Sequence, residues 1–404
     1  MDKDSFHRVV AVPAWFNTDN LLEFSIEPDK RYLNLSRTYL KFYVELPEVF
    51  VPDNNFGNKL FEYLDVNVQY EDASFKCSSN DYDHTSHIQD RIFKNPSYLK
   101  KMKFEGHFDN LNIDSSQLKT EAQIVANRRG SPFTKTRKSG NKTVEDKYYR
   151  YQMILPINHG LAKNDQLLPA GVHLRLTFHR AQPKKALVDI SQSVVTYPTK
   201  TIELIQPSLH VCWASSPSLH QQMSRVKEAG LTIPYESAHI RHRTLDDGLS
   251  EYNVQIMQGQ VPKYIAFFLM EPDRFNNDFK LSSTKMTQHN LTEFAILMDN
   301  DVLQHYPLKV EKYGESIFSH QFYRRFLIMT GQYGDSHDDI LSEEVFIDDN
   351  FMILETFADS ENREGMLSVK LKFAEQLNSK LHLCWMPVFE KNLKFDRNLS
   401  VQIS

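Results

Sequence analysis

Apolar and polar residues alternate along much of this chain. The alternation is clearest in three stretches, 64–70, 172–179 and 367–373. Because successive side chains of a β-strand point to opposite faces of a sheet, each stretch predicts a strand with one face in a core and the other in water. Three denser apolar runs predict strands covered on both faces, namely 39–46, 264–270 and 294–298.

Helical signals are few. The stretch 88–104 predicts a helix that Pro96 must either interrupt or start, since proline cannot donate a backbone hydrogen bond. A second helix is predicted over 219–229, with Gly230 as its end. Strands do not alternate with helices along the chain, so the sequence argues against a doubly wound α/β fold.

The order of elements in the first half recurs in the second. The run YLKFYVELP at 39–47 has a counterpart in YIAFFLMEP at 264–272. Further on, the segment 149–178, with Gly171 between two strands, matches the segment 351–373, with Gly365 in the same place. Elements that recur in the same order about half a chain apart indicate duplication of one domain.

Length agrees with two domains. A chain of 404 residues is too long for one ordinary β-sandwich, and each half has the size of a jelly roll. We therefore expect an all-β double jelly roll, that is, two fused eight-stranded β-sandwiches with a few short helices in loops. The N-terminal jelly roll is predicted over residues 1–200 and the C-terminal one over 201–404. The aromatic share of 12% suits half-buried sheet faces.

A polar, basic insertion loop is predicted at about 114–147. It gathers six cationic candidates for a contact with DNA or another surface: Arg128, Arg129, Lys135, Arg137, Lys138 and Lys142. The net charge of −5 argues against a protein that mainly coats nucleic acid, but not against one local patch. Packaged DNA, a membrane surface or an import receptor could be the partner. The alternative is a mobile, solvated loop, because this stretch lacks the interleaved aromatic residues of single-strand binding platforms.

Two groups of residues have the chemistry of metal ligands. The first consists of Asp81, Asp83, His84 and His87. Their alternative role is in a polar loop or in capping the following helix, with an aspartate and Thr85 as N-cap residues. The second pair, His239 and His242, lies beside arginines that would repel a cation, which favours a solvated loop. We therefore predict no metal site.

Catalytic motifs are absent from the sequence: there is no GxSxG, HExxH, P-loop or GxGxxG. We expect no enzyme activity, no cofactor and no small-molecule substrate. The three cysteines lie far apart without a CxxC spacing, which favours free buried thiols. The charged N-terminus and the short apolar runs predict a protein that is not secreted and has no transmembrane segment.

Four stretches, 21–46, 167–180, 260–279 and 367–397, share a pattern with one known family. They resemble the major capsid proteins of Polinton/Maverick elements and of their adintovirus relatives. The positions that fit the family pattern include Asn34, Thr38, Tyr39 and Leu40, then Pro262, Lys263, Ile265, Asp273, Phe275 and Asn276, and finally Lys372, Phe373, Ala374, Glu375, Leu377, Phe389, Asp396, Arg397 and Val401. The chain departs from the family in its short length, in Asn277 where glycine is usual, and in the loop 114–147.

This resemblance implies a function. It implies a structural major capsid protein whose homotrimers form pseudo-hexameric capsomers of an icosahedral shell, without catalytic residues. The expected location is the virion capsid, after assembly inside the host cell. The expected partners are other copies of the chain, neighbouring capsomers, and penton or minor capsid proteins, with packaged DNA as a candidate on the inner face. The alternatives are a β-sandwich recognition module, lectin-like or receptor-binding, and a capsid-derived protein that a host has retained.

Overall fold

The computed structural model describes most of the chain. The residues outside the description are 1–5, 71–72, 95, 109–110, 140–141, 164–165, 192–196, 199, 219–220, 222–229, 277, 314–315, 334–339, 358–362, 396–400 and 404.

Antiparallel strands make up about half of the described structure. The strands are β1 (Phe6–Pro13), β2 (Phe16–Asn17), β3 (Leu21–Ile26), β4 (Tyr32–Pro47), β5 (Phe50–Pro52), β6 (Phe61–Tyr70), β7 (Ala73–Ser79), β8 (Ser131–Ser139), β9 (Lys142–Pro156), β10 (His173–Arg180), β11 (Leu187–Asp189), β12 (Ile205–Ser215), β13 (Leu231–Ala238), β14 (Arg241–Leu245), β15 (Glu251–Gln260), β16 (Tyr264–Met270), β17 (Leu291–Met298), β18 (Asp301–Val302), β19 (Leu308–Lys309), β20 (Glu311–Tyr313), β21 (Ser316–Phe318), β22 (Ile353–Thr356), β23 (Glu364–Phe373), β24 (Leu381–Phe395) and β25 (Val401–Ile403).

Short helices connect some of these strands. The helices are α1 (Phe56–Lys59), α2 (Tyr82–Phe93), α3 (Pro96–Lys101), α4 (Ser115–Leu118), α5 (Ala122–Arg128), α6 (Gly160–Lys163), α7 (Pro272–Phe275), α8 (His320–Met329) and α9 (Glu343–Asp349), with 3₁₀ turns at Lys103–Glu105 and Pro183–Lys185. Among the described residues, no helix combines the length and the apolar character that a membrane span requires.

The strands form two sandwiches, which we call the first and second lobes. In the first lobe, sheet 1 has the order β1-β12-β4-β9-β8 and sheet 2 the order β2-β3-β10-β6-β7. In the second lobe, sheet 3 has the order β13-β24-β16-β22, with β14 and β25 also on β24, and sheet 4 has the order β15-β23-β17-β18, with β19 on β17. The predicted pair of β-sandwiches is confirmed, and short edge strands take each sandwich beyond eight strands.

Alternation builds the core of the first lobe. In β10, Leu174, Leu176 and Phe178 are buried while the residues between them are partly exposed, as the sequence predicts. In β4 the pattern is the same, with Phe42 and Val44 buried and their neighbours half-buried. The prediction that 39–46 is covered on both faces is therefore wrong, because the residues at every second position of this stretch are only half-buried.

Sheet 3 is covered on both faces. All seven residues of β16 are buried, and the last five of β17 in sheet 4 are buried as well, which confirms both predictions. One layer on sheet 3 comes from the first half of the chain, since Ile88 and Ile92 of α2 belong to the core of the second lobe. A helix borrowed from the other half thus explains why β16 shows no alternation.

The two helix predictions and the loop prediction have different outcomes. The predicted helix with an interruption at Pro96 is confirmed as α2 and α3, although α2 begins six residues earlier than expected. The helix predicted at 219–229 lies almost entirely outside the described residues. The range 114–147, predicted as an insertion loop, holds α4, α5, β8 and the first part of β9. Its role as an insertion stays a prediction.

The strand after the predicted domain boundary belongs to the first lobe by its hydrogen bonds. β12 pairs with β4 on one side and with β1 on the other. The division at residue 200 stays a prediction. From the pairing of β12 we propose that the first lobe continues to Ser215.

We expect Gly160 to tolerate no side chain. A Cβ added there would overlap the backbone carbonyl oxygen of Glu236 in β13, where α6 of the first lobe touches the second. Gly160→Ala should lower the free energy of unfolding by about 1–3 kcal/mol, the usual cost of overpacking. Urea unfolding measures this.

Gly365→Ala is the matched control, because a Cβ at Gly365 would make only ordinary contacts with the Asp299 side chain. Equal effects of the two substitutions would contradict the close approach of the lobes at Gly160.

Candidate functional site

A buried ionic network joins the two lobes. Asp53 accepts a hydrogen bond of 2.5 Å from Lys59 Nζ and bonds of 2.9 Å from Ser282 Oγ. The same ammonium donates to Thr284 Oγ1 at 3.0 Å. Burial lowers the pKa of Lys59, and the carboxylate of Asp53 partly offsets that effect. These side chains are almost completely buried, so they need hydrogen-bond partners within the protein. Ser282 and Thr284 of the second half provide such partners for Asp53 and Lys59 of the first.

A second ion pair extends this network. Arg274 of α7 donates from both terminal nitrogens to the Asp114 carboxylate, at 2.6 and 2.7 Å. Asp114 also accepts from the backbone nitrogen of Ser282 at 2.8 Å. Burial alone would raise the pKa of Asp114, but the hydrogen bonds from Arg274 and Ser282 outweigh it and lower the pKa. The fork geometry fixes orientation as well as distance between the two segments.

The first group of candidate metal ligands belongs to the same junction. His84 lies within 3.2 Å of Asp83 through Nδ1 and 3.0 Å from the carbonyl of Ser283 through Nε2. Asp81 occupies the N-cap position of α2 but makes no side-chain capping bond, while Thr85 Oγ1 donates to the carbonyl of Asn80. Within the described ranges, no group of three or more His, Cys, Asp or Glu residues is arranged for a metal ion.

The second candidate pair does not lie on a helix. His242 is a residue of β14, and His239 lies two residues before that strand. The ring of His242 packs against Phe275 at 4.5 Å and His382 at 4.7 Å between ring centroids. The loop predicted around His242 is wrong, because the segment is a strand that pairs with β24. Its exposure to solvent agrees with the prediction, since Arg241 to Thr244 are exposed.

The basic residues of the predicted DNA-contact loop divide into separate environments. Arg128 is fully buried, and its Nη2 donates to the carbonyl of Leu111 at 2.7 Å. Its other terminal nitrogen lies 3.9 Å from Asp53, so this arginine belongs to the lobe junction. Arg128 therefore cannot contact DNA. A run of neighbouring cations in the sequence gives no sign of this burial, since its partners are distant in the chain.

Arg129 and Lys147 form a cluster around Tyr149 and Glu48. Arg129 stacks on the Tyr149 ring at 4.6 Å and donates to its hydroxyl at 2.8 Å. Lys147 Nζ donates to Glu48 at 3.0 Å, and Arg129 lies 3.6 Å from the same carboxylate. Two cations thus share one glutamate, which leaves one positive charge in excess.

Lys135 and Arg150 form a similar cluster one strand position away. Both pair with Glu45, at 2.6 and 2.5 Å, and Lys135 lies 4.6 Å from the centre of the Tyr148 ring. Arg150 lies 4.9 Å from the centre of the Phe133 ring. Burial alone would raise the pKa of Glu45, but hydrogen bonds from the two cations lower it, so it stays charged.

Of these clusters the sequence nominated only Arg129 and Lys135. Seven members were not predicted: Glu45, Glu48, Phe133, Lys147, Tyr148, Tyr149 and Arg150. The missed signal is the dipeptide Gly140-Asn141 between two strand-length runs, a typical two-residue hairpin linker. The side chains of Arg137, Lys138 and Lys142, which the sequence also nominated, lie outside the described residues.

Two buried histidines carry no charge at neutral pH. For His87, among the residues described, neither ring nitrogen has a hydrogen-bond partner. Burial, together with the charges of Arg91 and Lys59, lowers the pKa of His87 well below its ordinary value. Burial and the charge of Lys163 lower the pKa of His159 to about 4.

We expect Asp53→Asn to lower the free energy of unfolding by about 3–5 kcal/mol, because it leaves buried cations without their carboxylate. Chemical denaturation measures the change. The control is Glu251→Gln, whose pair with Lys372 is exposed and should contribute less than about 1 kcal/mol. A cost for Asp53→Asn no larger than that of the control would contradict the junction's role.

We also expect stability to fall as the pH drops from about 6.5 towards 4. In this window the imidazoles of the unfolded chain bind protons, whereas buried His87 and His159 do not. Each therefore reduces the free energy of unfolding by about 1.4 kcal/mol per pH unit. Urea midpoints across the window provide the measurement.

For the variants, the quantity to compare is the slope of the free energy of unfolding against pH, and not its absolute value. His87→Gln and His159→Gln should each flatten it, and His305→Gln, at an exposed position, should leave it unchanged. An unchanged slope in both buried variants would show that other groups cause the acid sensitivity.

Comparison with known proteins yields matches at the level of structure. No protein-family model matches the sequence, and no curated protein does. A chain in the 3.5 Å cryo-EM structure of the Sputnik virophage superposes with a TM-score of 0.64 and 13% identity, over 100% of this chain and 88% of that one. The mavirus major capsid protein gives 0.59 and 10%, over 98% and 90%.

A third match is VP54 of the virus PBCV-1, with a TM-score of 0.54 and 8% identity over 100% of this chain and 98% of that one. These likenesses run through both lobes and nearly the full length of each protein. They are too low in sequence identity to show more than architecture. The chain therefore has the double jelly-roll fold found in viral major capsid proteins.

Proposed function

We propose that this chain is a major capsid protein whose homotrimers form pseudo-hexameric capsomers of an icosahedral shell. The observation that carries the proposal is the full-length structural likeness to the mavirus major capsid protein. The four stretches that resemble Polinton/Maverick and adintovirus capsid proteins support an origin in that group of viruses or integrated elements.

The architecture supports a building block. Two lobes of similar construction are tied together by the buried Arg274–Asp114 ion pair and by hydrogen bonds from Ser282 to Asp53 and from Lys59 to Thr284, so one chain presents two similar bodies in a fixed relation. Three chains around one axis then present six lobes, and a near-hexagonal unit can tile a surface with only threefold symmetry. The β-sandwich cores need no ligand to hold their shape.

A structural role also agrees with the chemistry of the interior. The buried ionisable groups of the junction pair with one another or with backbone carbonyls. They reinforce packing between the lobes. The proposed partners are copies of the same chain, neighbouring capsomers and penton or minor capsid proteins, and the proposed location is the virion capsid.

Exposed apolar residues lie where copies could meet. Val9 of β1 and Trp15 and Phe16 around β2 are 48%, 58% and 49% exposed, at the free edges of sheets 1 and 2. On the second lobe, Ile328 of α8 and nearby Tyr333 are 44% and 59% exposed. Large exposed apolar groups are typical of protein contact surfaces. Their position on both lobes suits a ring in which unlike surfaces meet.

Light scattering on the purified chain tests the proposal. The mass of one chain is 47.2 kDa, so a closed trimer should appear at about 142 kDa. A stable monomer at high concentration, with no ring-shaped particles in electron micrographs, would overturn it in favour of a recognition module.

A double variant tests whether the exposed residues around β2 form the contact between copies of the chain. Trp15→Ser with Phe16→Ser should shift the population towards monomer, whereas Leu249→Ser, at a 55% exposed position elsewhere, should not.

A further inference from the structure

The hairpin of β8 and β9 projects from the first lobe as a two-stranded arm. Strand β4 pairs with β9 only as far as Tyr148, opposite Pro47. Just beyond that point Lys147 O still accepts a backbone hydrogen bond from Glu48 N. Among the strand pairs of the described residues, 142–146 pair only with 135–139. We call residues 129–150 the basic ribbon.

The basic ribbon concentrates positive charge in an otherwise acidic chain. It contains seven cationic residues, Arg129, Lys135, Arg137, Lys138, Lys142, Lys147 and Arg150, and two acidic ones, Glu145 and Asp146. Its formal charge is therefore +5, while the whole chain carries −5, so the remaining residues carry −10. Such segregation indicates a polyanionic partner for the ribbon.

The cations at the base of the ribbon point to both of its sides. Tyr148 and Tyr149 are consecutive strand residues, so their side chains leave opposite faces of β9. Lys135 lies over Tyr148, and Arg129 lies over Tyr149. Each pair of cations shares one glutamate, Glu45 or Glu48, and keeps one positive charge in excess on its own side.

The geometry of these clusters favours phosphate contact over base stacking. The rings of Phe133 and Tyr148 already carry Arg150 and Lys135 against them, at 4.9 and 4.6 Å. A base would have to displace these cations in order to stack. The cations themselves, with Lys135 and Arg150 about half exposed, can add a phosphate oxygen to their existing glutamate contact.

The same features favour a nucleic acid over a membrane. Between Thr134 and Lys147 the only aliphatic side chain is Val144, so the arm has no apolar face to bury among lipids. A membrane also attracts charge on one side only. A groove of duplex DNA has a phosphate backbone on each side and is wide enough to admit a two-stranded β-ribbon.

We propose that the basic ribbon is a sequence-independent contact for double-stranded nucleic acid, lying in a groove with its cations directed to the phosphates of both strands. The assignment of packaged DNA as the natural ligand rests on the proposed capsid function. Binding by the ribbon itself does not require a shell, and it can be measured on the purified protein.

Fluorescence anisotropy with a short random-sequence duplex tests the contact. The variant Arg137→Gln, Lys138→Gln, Lys142→Gln removes three cations near the end of the arm. The control, Lys309→Gln, Lys370→Gln, Lys372→Gln, makes the same charge change on exposed residues of sheet 4. Affinity is measured between about 50 and 200 mM salt, where phosphate contacts have their largest effect.

We expect the ribbon variant to reduce the slope of log K against log salt by about 2–3, since each phosphate contact contributes about 0.9. Its affinity at low salt should fall at least about tenfold, and the control should retain the slope of the unmodified protein. Equal slopes of log K against log salt in the ribbon variant and the control would overturn the proposal. It would also be overturned if the ribbon variant lost binding to phosphatidylserine vesicles but bound the duplex as the unmodified protein does. Binding to single strands but not to duplex would overturn the groove geometry.

Light scattering on the same variants separates the two proposals. A ribbon variant that remains a trimer but loses DNA affinity supports both. If the protein is a trimer and the ribbon variant binds duplex as well as the unmodified protein, only the ribbon contact is overturned. If the protein is a monomer and the ribbon variant still shows the reduced salt slope, only the capsomer proposal is overturned.

Discussion

The relative position of the two lobes is fixed by charged side chains that neither half could bury alone. Lys59 is fully buried, and removal of an ammonium from water costs several kcal/mol unless it is paired. Its carboxylate comes from the same half, but the hydroxyls that complete the site, from Ser282 and Thr284, come from the other. Burial therefore requires both halves in one relative position. A shell unit has the same requirement, because its outline is set by how its lobes are placed.

Sequence patterns predicted the sheets well where one face meets a core and the other meets water. β6, β10 and β23 follow this rule. The rule failed for β8 and the start of β9, where none of the described side chains of 131–148 is buried. It also gave the wrong start for α2, because the first turn of that helix is polar and yet buried in the junction.

The residues of the junction could not be predicted from one sequence. Lys59 and Thr284 are 225 positions apart, and no local pattern connects an isolated lysine with a threonine at such a distance. Arg128 shows the opposite problem, since its cationic neighbours suggest exposure while its own guanidinium is buried. The basic ribbon could be predicted in part. Its charge was evident, but the pairing that brings Tyr148 and Tyr149 beside the cations was not.

The exchange of elements between the lobes has a consequence for how the chain is made. The core of the second lobe includes Ile88 and Ile92, which leave the ribosome long before β16 does. The core of the first lobe includes Tyr235 and Phe395, so it is not complete until the C-terminal strands have emerged. An N-terminal half on its own would lack these core residues. Each lobe therefore reaches its full core only when residues from both halves of the chain are present.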